Sequence, residues 1–520
     1  MNRRGFIQIS SVALLPILLG VLPLFGKDKP RYTIHVRSNR KFGHLLRETS
    51  GMLPTKELIT DYIIVGGGIA GVSAALTLKG KEFLLFEAAD RLGGSSASDS
   101  WKSANYALGA HYELAYPSSF GKEVIELLTN LDVIQYNAAS DLHEFVEKKF
   151  IIKPNEQEQC FIGEDVLEDI LSGAEGEDEF YKTLNPYIGE MPLPTRLIDK
   201  KYHELNNISF KEFLTSKISL SKDLENRISY QMLDDWGARI DQVSALAGIH
   251  YYTCRPYNLK EVELFSPPQG NSYFIEKMVG QFPSLEALKT DSLVRSVRET
   301  SSGVEAEIVN VNGEIMLVRA KGLIYAGQKH ALKYVLQSPT DLEFNNTYVP
   351  WVVLNFVCRK GIDFGKWQND VLTEDLQFLG FVNSALQHTR SNDLDVFTAY
   401  YCLEESSRAQ LVEIENNPDA FVAATIELIE KSTGEVITEN IEHVNVNLMG
   451  HAMPVAKPGY LSLKDVPQIS NNIVCAGVDT GRLPLFYEAC DSGIQAANQL
   501  ISNLESSTDH VVDDQSTIES

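Results

Sequence analysis

The sequence predicts an α/β fold: a parallel-sheet dinucleotide-binding domain joined to further structure of mixed α/β character. Three observations predict it. A short apolar strand runs into a glycine loop and a helix at 61–79. A second strand then ends on an acid 21 residues past the first glycine of that loop. The chain has 520 residues, enough for two or three domains around a large core.

Residues 1–26 read as an address rather than part of the fold. Arg3-Arg4-Gly5-Phe6-Ile7-Gln8 resembles the twin-arginine (Tat) export signal, and the apolar run Ile9–Phe25 follows it. An ordinary Sec signal or a single membrane anchor is the competing reading. The run is close to the length that spans a bilayer, and it shows no clean A-x-A cleavage site. The expectations are passage through the Tat translocase, a periplasmic or exported location, and membrane association if the segment is retained. Residues 27–56 read as a polar, basic linker that includes RKFGHLLRE at 40–48.

Asp61-Tyr62-Ile63-Ile64-Val65 is the first buried strand, and Gly66, Gly68 and Gly71 follow in G-G-G-I-A-G. The first glycine permits a tight turn. The second lets backbone approach a pyrophosphate, and the third lets helix pack on strand. Ile69 and Ala70 open the helix, whose N-terminal N–H groups face the phosphates. The second strand, Phe83–Phe86, leads to Glu87 and Ala88, where a carboxylate can hold ribose hydroxyls. Together these parts define a Rossmann-type domain, although Glu87 alone reads equally as a solvated strand-end acid.

Arg91-Leu92-Gly93-Gly94 continues from that acid, with Ser95 after it, and Tyr106-Ala107-Leu108-Gly109-Ala110-His111-Tyr112 follows. Near the C-terminus stand Ile473-Val474-Cys475-Ala476-Gly477-Val478-Asp479 and Tyr487-Glu488-Ala489-Cys490-Asp491-Ser492-Gly493. These segments resemble motifs of the flavin amine oxidase superfamily, which includes monoamine, polyamine and L-amino-acid oxidases and protoporphyrinogen oxidase. The resemblance implies FAD as the cofactor, with Gly109, Ala110 and His111 lying along the flavin. It places Asp479 near the ribityl and phosphate groups, and turns the N-terminus of the closing helix, with Glu488 and Ala489, toward the isoalloxazine. It assigns Val294, in Leu293-Val294-Arg295-Ser296-Val297, to the adenine. A hairpin turning at Asn312-Gly313 follows, then the strand Gly322–Tyr325 and Ala326 returning to the nucleotide. It further implies an FAD-binding domain from 57–120, 260–330 and 445–505, with a β-meander. An inserted mixed α/β substrate domain would come from 121–259 and 331–444. Residues 506–520 are polar and acidic and read as a disordered tail.

Composition removes several alternatives. Seventy acidic against 46 basic residues give a formal charge of -24, which repels nucleic acid. None of the six cysteines forms a CxxC pair or joins histidines at zinc spacing, so buried thiols are expected and no metal site. None occupies a flavinylation motif, so the FAD is expected to be non-covalent.

FAD carries the redox chemistry, and the protein orients the substrate and excludes water. His111 is the leading active-site side chain, against a histidine bonded within the fold. His451, in GHAMPVAKPGYL, is a second candidate, and Tyr487 lies near the family's aromatic substrate cage. Asn355 stands where the resemblance implies a lysine holding a water near flavin N5, which predicts slow reoxidation by oxygen. The expected function is hydride abstraction from a C–N or C–C bond of a small amine or apolar substrate. The alternatives are a desaturase or protoporphyrinogen-oxidase-like enzyme on an apolar substrate, and a flavin-stabilised binding protein without turnover.

Overall fold

The computed structural model describes residues 31–47, 53–114, 116–254, 263–337, 346–362, 364–387, 393–463 and 466–516. The signal-like segment therefore lies outside the described residues. No helix of the described residues is long and apolar enough to cross a membrane.

The nucleotide domain is built on a six-stranded sheet. Its strands run Leu288–Lys289, Phe83–Phe86, Tyr62–Val65, Gly322–Tyr325, Ile473–Cys475 and Gln468–Ser470, all parallel except the last. The central strand is apolar on both faces because both are covered. Tyr62 and Ile64 pack under the helix Ile69–Thr77 and the terminal helix Phe486–Ser516. Ile63 and Val65 pack against a four-stranded meander. That meander is the expected hairpin, Ser292–Thr300, Gly303–Asn310 and Ile315–Ala320, with Gly313 at φ +80 in the turn. Its fourth strand is Lys56–Ile59.

The second domain carries an eight-stranded sheet. Its order is Thr33–Arg37, Ile441–Pro454, Tyr348–Arg359, Leu394–Cys402, Phe378–Asn383, Gln368–Val371, Glu158–Ile162 and Asp165–Leu167. Val353 faces a core shared with the helices Lys222–Trp236 and Ala245–Cys254. Val352 and Leu354 face a second core under the helix Pro418–Thr433.

Four boundaries differ from the sequence reading. The expected linker supplies the edge strand Thr33–Arg37, whose alternation is hidden in a short polar stretch and whose stability comes from pairing along Ile441–Pro454. That partner is one continuous strand, so the second domain extends past 445 to Pro454. The helix Lys122–Asn130 buries Val124 and Leu128 in the nucleotide-domain core, so that domain extends past 120. The expected tail from Ser506 is helical to Ser516. A helix already nucleated by packing extends at little cost per residue even through polar sequence. All six cysteines are free, five of them buried.

Candidate functional site

The glycine loop is shaped by three different requirements. Gly66 sits at φ +101, and a Cβ there would stand 2.8 Å from the Ala326 carbonyl oxygen. Gly71 is more confined: its Cβ would reach 1.9 Å from Gly66 O, so only glycine lets the helix start this close to the strand. Gly68 is different. Its φ of -74 suits any residue, and a Cβ would meet nothing nearer than Gly93 O at 3.8 Å. A Cβ at Gly68 would thus touch Gly93-Gly94 without clashing, and its absence leaves the backbone free for close approach, as a phosphate cradle requires. Gly477, at φ +104, faces open space, with nothing within 4 Å of its would-be Cβ. Both observations fit a dinucleotide lying across the ends of these strands.

The other predicted binding residues line the same region. Gly93 N donates to Gly67 O at 2.8 Å. Glu87 accepts from the N–H groups of Gly67 (2.6 Å) and Ala89 (2.7 Å). Desolvation raises its pKa against those backbone bonds. Ser95 O accepts from Ala110 N at 2.9 Å, and Gly109 approaches Ser95 O so closely that a Cβ would stand 2.4 Å away. Val294 is buried in the meander core, and Ala88 packs beside the neighbouring Leu293 cluster. Ala70 lies under Gly493 of the terminal helix, where a Cβ would fall 2.1 Å from Ala70 O. Asp479 Oδ2 accepts from Lys329 N (3.0 Å) and Tyr348 Oη (2.5 Å). Arg91 bonds Ser98 O at 2.6 Å and pairs with Asp90 and Asp99.

Backbone contacts thus run from Gly68 through Gly93, Ser95 and Ala110 to His111, and there an aromatic cluster begins. His111 Nδ1 lies 2.7 Å from Tyr400 Oη, and the two rings stack at 4.9 Å. Trp367 lies 5.4 Å from the rings of both His111 and Tyr112, and Trp351 lies 6.2 Å from Tyr400. Burial lowers the His111 pKa to about 4, so the imidazole is neutral at pH 7. Trp367 is fully buried and its Nε1–H has no partner among the described residues. Trp367 and Tyr400 carried no signal in the sequence. The Tyr400 strand is buried on both faces and Trp367 directly precedes another buried strand, so functional and core aromatics look alike there.

Five predicted residues serve other purposes. Asn355 is fully buried and both ends of its amide are engaged within the fold. Nδ2 donates to Ala107 O (2.8 Å) and Thr398 Oγ1 (3.0 Å), and Oδ1 accepts from Asn445 Nδ2 (3.0 Å). It ties the sheet to the hairpin that leads to Gly109, a structural role that accounts for the residue without a water at flavin N5. Tyr487 is a core aromatic, 5.0 Å from the Phe120 ring, because the terminal helix is covered on that face. Glu488 is not a cofactor ligand: it accepts from Thr195 N at 2.6 Å and pairs with Arg482. Ala489 continues the helix through its bond to Leu485 O. His451 stands outside the aromatic cluster, stacked on His330 at 3.7 Å beside Tyr348. Burial first, then neighbouring His330 and Arg408, lower its pKa to about 3.

The sheet and the glycine loop have the architecture of a Rossmann-like nucleotide domain. Residues 64–131 match the model of the NAD(P)-binding Rossmann-like domain family. No curated protein matches the sequence. Among solved structures, the chain resembles putrescine oxidase bound to putrescine, at 14% identity over 86% of this chain and 100% of that one, with a TM-score of 0.62. Cyclohexylamine oxidase from Brevibacterium oxydans IH-35A matches at 14% identity over 86% and 99%, TM-score 0.58. A protein described as a protoporphyrinogen oxidase, from Exiguobacterium sp. 255-15, matches at 14% over 87% and 100%, TM-score 0.57. The resemblance to the flavin amine oxidase superfamily thus holds at the level of the fold, over nearly the whole chain.

Proposed function

We propose that this chain is an FAD-dependent oxidoreductase of the amine oxidase type, acting on a small amine. The observation that carries the reading is the His111–Tyr112–Trp367–Tyr400 cluster at the end of the backbone path from the glycine loop. Bound flavin would accept a hydride from a carbon next to nitrogen. The chain's own part is to bind, orient and keep out water. Aromatic faces attract an ammonium group and cover its carbon chain. A neutral His111 adds no charge that would repel the arriving ammonium. Two of the three similar structures bear the names of amine oxidases, which supports this choice over a desaturase on an apolar substrate.

A panel of primary amines and diamines, read by bleaching of the flavin absorbance, tests the reading. At least one amine should reduce the flavin, and Tyr400→Phe should lower kcat/KM about tenfold, the worth of one lost hydrogen bond. Reduction by lipid-like compounds alone would move the assignment to the apolar-substrate alternative. A flavin inert to every donor would point to a binding protein.

The proposal extends to export through the Tat translocase, supported by Arg3-Arg4 before the apolar run. A Rossmann domain binds its cofactor only when folded, which suits a route for folded cargo. Arg3→Lys with Arg4→Lys should hold the precursor in the cytoplasm, since charge is kept and only arginine recognition is lost. Undiminished export of that variant contradicts the Tat assignment.

A further inference from the structure

The strand Thr33–Arg37 precedes every cofactor motif, yet it reaches two of them. Arg37 is largely buried, its side chain 16% exposed. Its Nη1 donates to Asp90 Oδ1 at 2.9 Å and its Nη2 to Asp99 Oδ2 at 3.0 Å. Arg91 spans the same two acids, with Nη2 3.1 Å from Asp90 Oδ2 and Nη1 2.9 Å from Asp99 Oδ1. Two guanidiniums and two carboxylates thus close a ring of zero net charge. Asp90 stands in the turn three residues after Glu87, on the adenosine side of the loop. Asp99 pairs across its hairpin with Tyr106, where the segment leading to Gly109, Ala110 and His111 begins. Desolvation works to raise both carboxyls, but the bonds from Arg91 and Arg37 prevail, and Asp90 is brought down to about 2.

The same strand reaches that hairpin by a second route. His35 Nδ1 lies 3.2 Å from Asn445 Oδ1, Asn445 Nδ2 donates to Asn355 Oδ1 at 3.0 Å, and Asn355 Nδ2 donates to Ala107 O at 2.8 Å. One short strand therefore holds both the turn after Glu87 and the hairpin that runs to the aromatic cluster. Networks of partly buried, bidentate ion pairs hold geometry far better than isolated surface pairs.

We propose that Arg37 is a cofactor-positioning residue: through Asp90 and Asp99 it fixes the flavin-lining hairpin relative to the adenosine-side loop. This rests on the reading of the site as an FAD site. A structural role in the fold at large would weaken every ligand and the apoprotein alike. A positioning role across the two halves of the site weakens a ligand that spans both and spares one that fills only the adenosine half.

The experiment is fluorescence titration of the full-length apoprotein with FAD and, separately, with ADP, together with its thermal melting. Arg37→Met should raise the Kd for FAD at least tenfold, change that for ADP less than threefold, and leave apoprotein melting in place. Asp99→Asn should do the same, and the double variant should be no weaker than either single one, because all three break one ring. An FAD affinity for Arg37→Met within twofold of wild type overturns the proposal, as does a loss that ADP shares. Wild-type protein that binds neither FAD nor ADP overturns the FAD reading itself, and this proposal with it.

Discussion

Gly68→Trp should abolish FAD binding while leaving the fold intact. The backbone at Gly68 has an ordinary φ, so a side chain is not strained there. A Cβ there meets Gly93 O at 3.8 Å without a clash, and an indole extending from it would cover the exposed backbone of the loop. The pyrophosphate would then have no approach to the N–H groups at the start of Ile69–Thr77, nor to the partial positive charge of that helix end. We expect binding to weaken at least about 100-fold, or roughly 3 kcal/mol. The purified variant should be colourless and melt near the wild-type apoprotein. Gly71→Ala is the contrasting control. Its Cβ would lie 1.9 Å from Gly66 O, so it should lower the stability of the apoprotein itself. Full FAD occupancy in Gly68→Trp would remove the cradle from the nucleotide site.

How much of this was legible in the sequence follows from the range of each interaction. The glycine loop, Glu87, the Asn312-Gly313 hairpin and the strand Ile473–Cys475 are local features. Each is set by backbone geometry within a few residues, and each stands where the residues placed it. The aromatic cluster was not legible, because Tyr400 and Trp367 meet His111 only in the folded chain, hundreds of residues from it in sequence. Asn355 misled for a related reason. A position on a strand fixes where a side chain starts, but its hydrogen-bond partners, Ala107, Thr398 and Asn445, come from three other strands. Thr33–Arg37 was hidden because an edge strand takes its stability from its partner, and its own polar sequence carries little signal. Glu488 was assigned by the resemblance of its segment to a closing-helix motif, whereas Thr195 and Arg482, which lie outside that segment, determine what it bonds.

Arg482→Met should be the most damaging single change to stability. Arg482 is 4% exposed, and its Nη1 lies 2.9 Å from Asp491 Oδ2 and 3.3 Å from Glu488 Oε2. Both carboxylates are fully buried. Arg196 also pairs with Asp491, through Nε at 2.8 Å and Nη2 at 2.9 Å, but it leaves Glu488 to Arg482. Desolvation raises the Glu488 pKa, and the Arg482 charge is the foremost influence opposing it. Methionine keeps much of the aliphatic volume but leaves a buried carboxylate uncompensated, a loss of about 3–5 kcal/mol. The site should feel it too. Arg482 N donates to Val478 O at 2.9 Å, so this residue joins the Gly477–Asp479 turn to the start of the terminal helix. Glu488→Gln in the same chain should recover part of the loss, because the stranded charge is then gone while the bond from Thr195 N remains. Urea unfolding of the single and double variants measures both effects. A loss below about 1 kcal/mol for Arg482→Met, the range of an exposed ion pair, would show that solvent reaches these carboxylates and that the network is not buried.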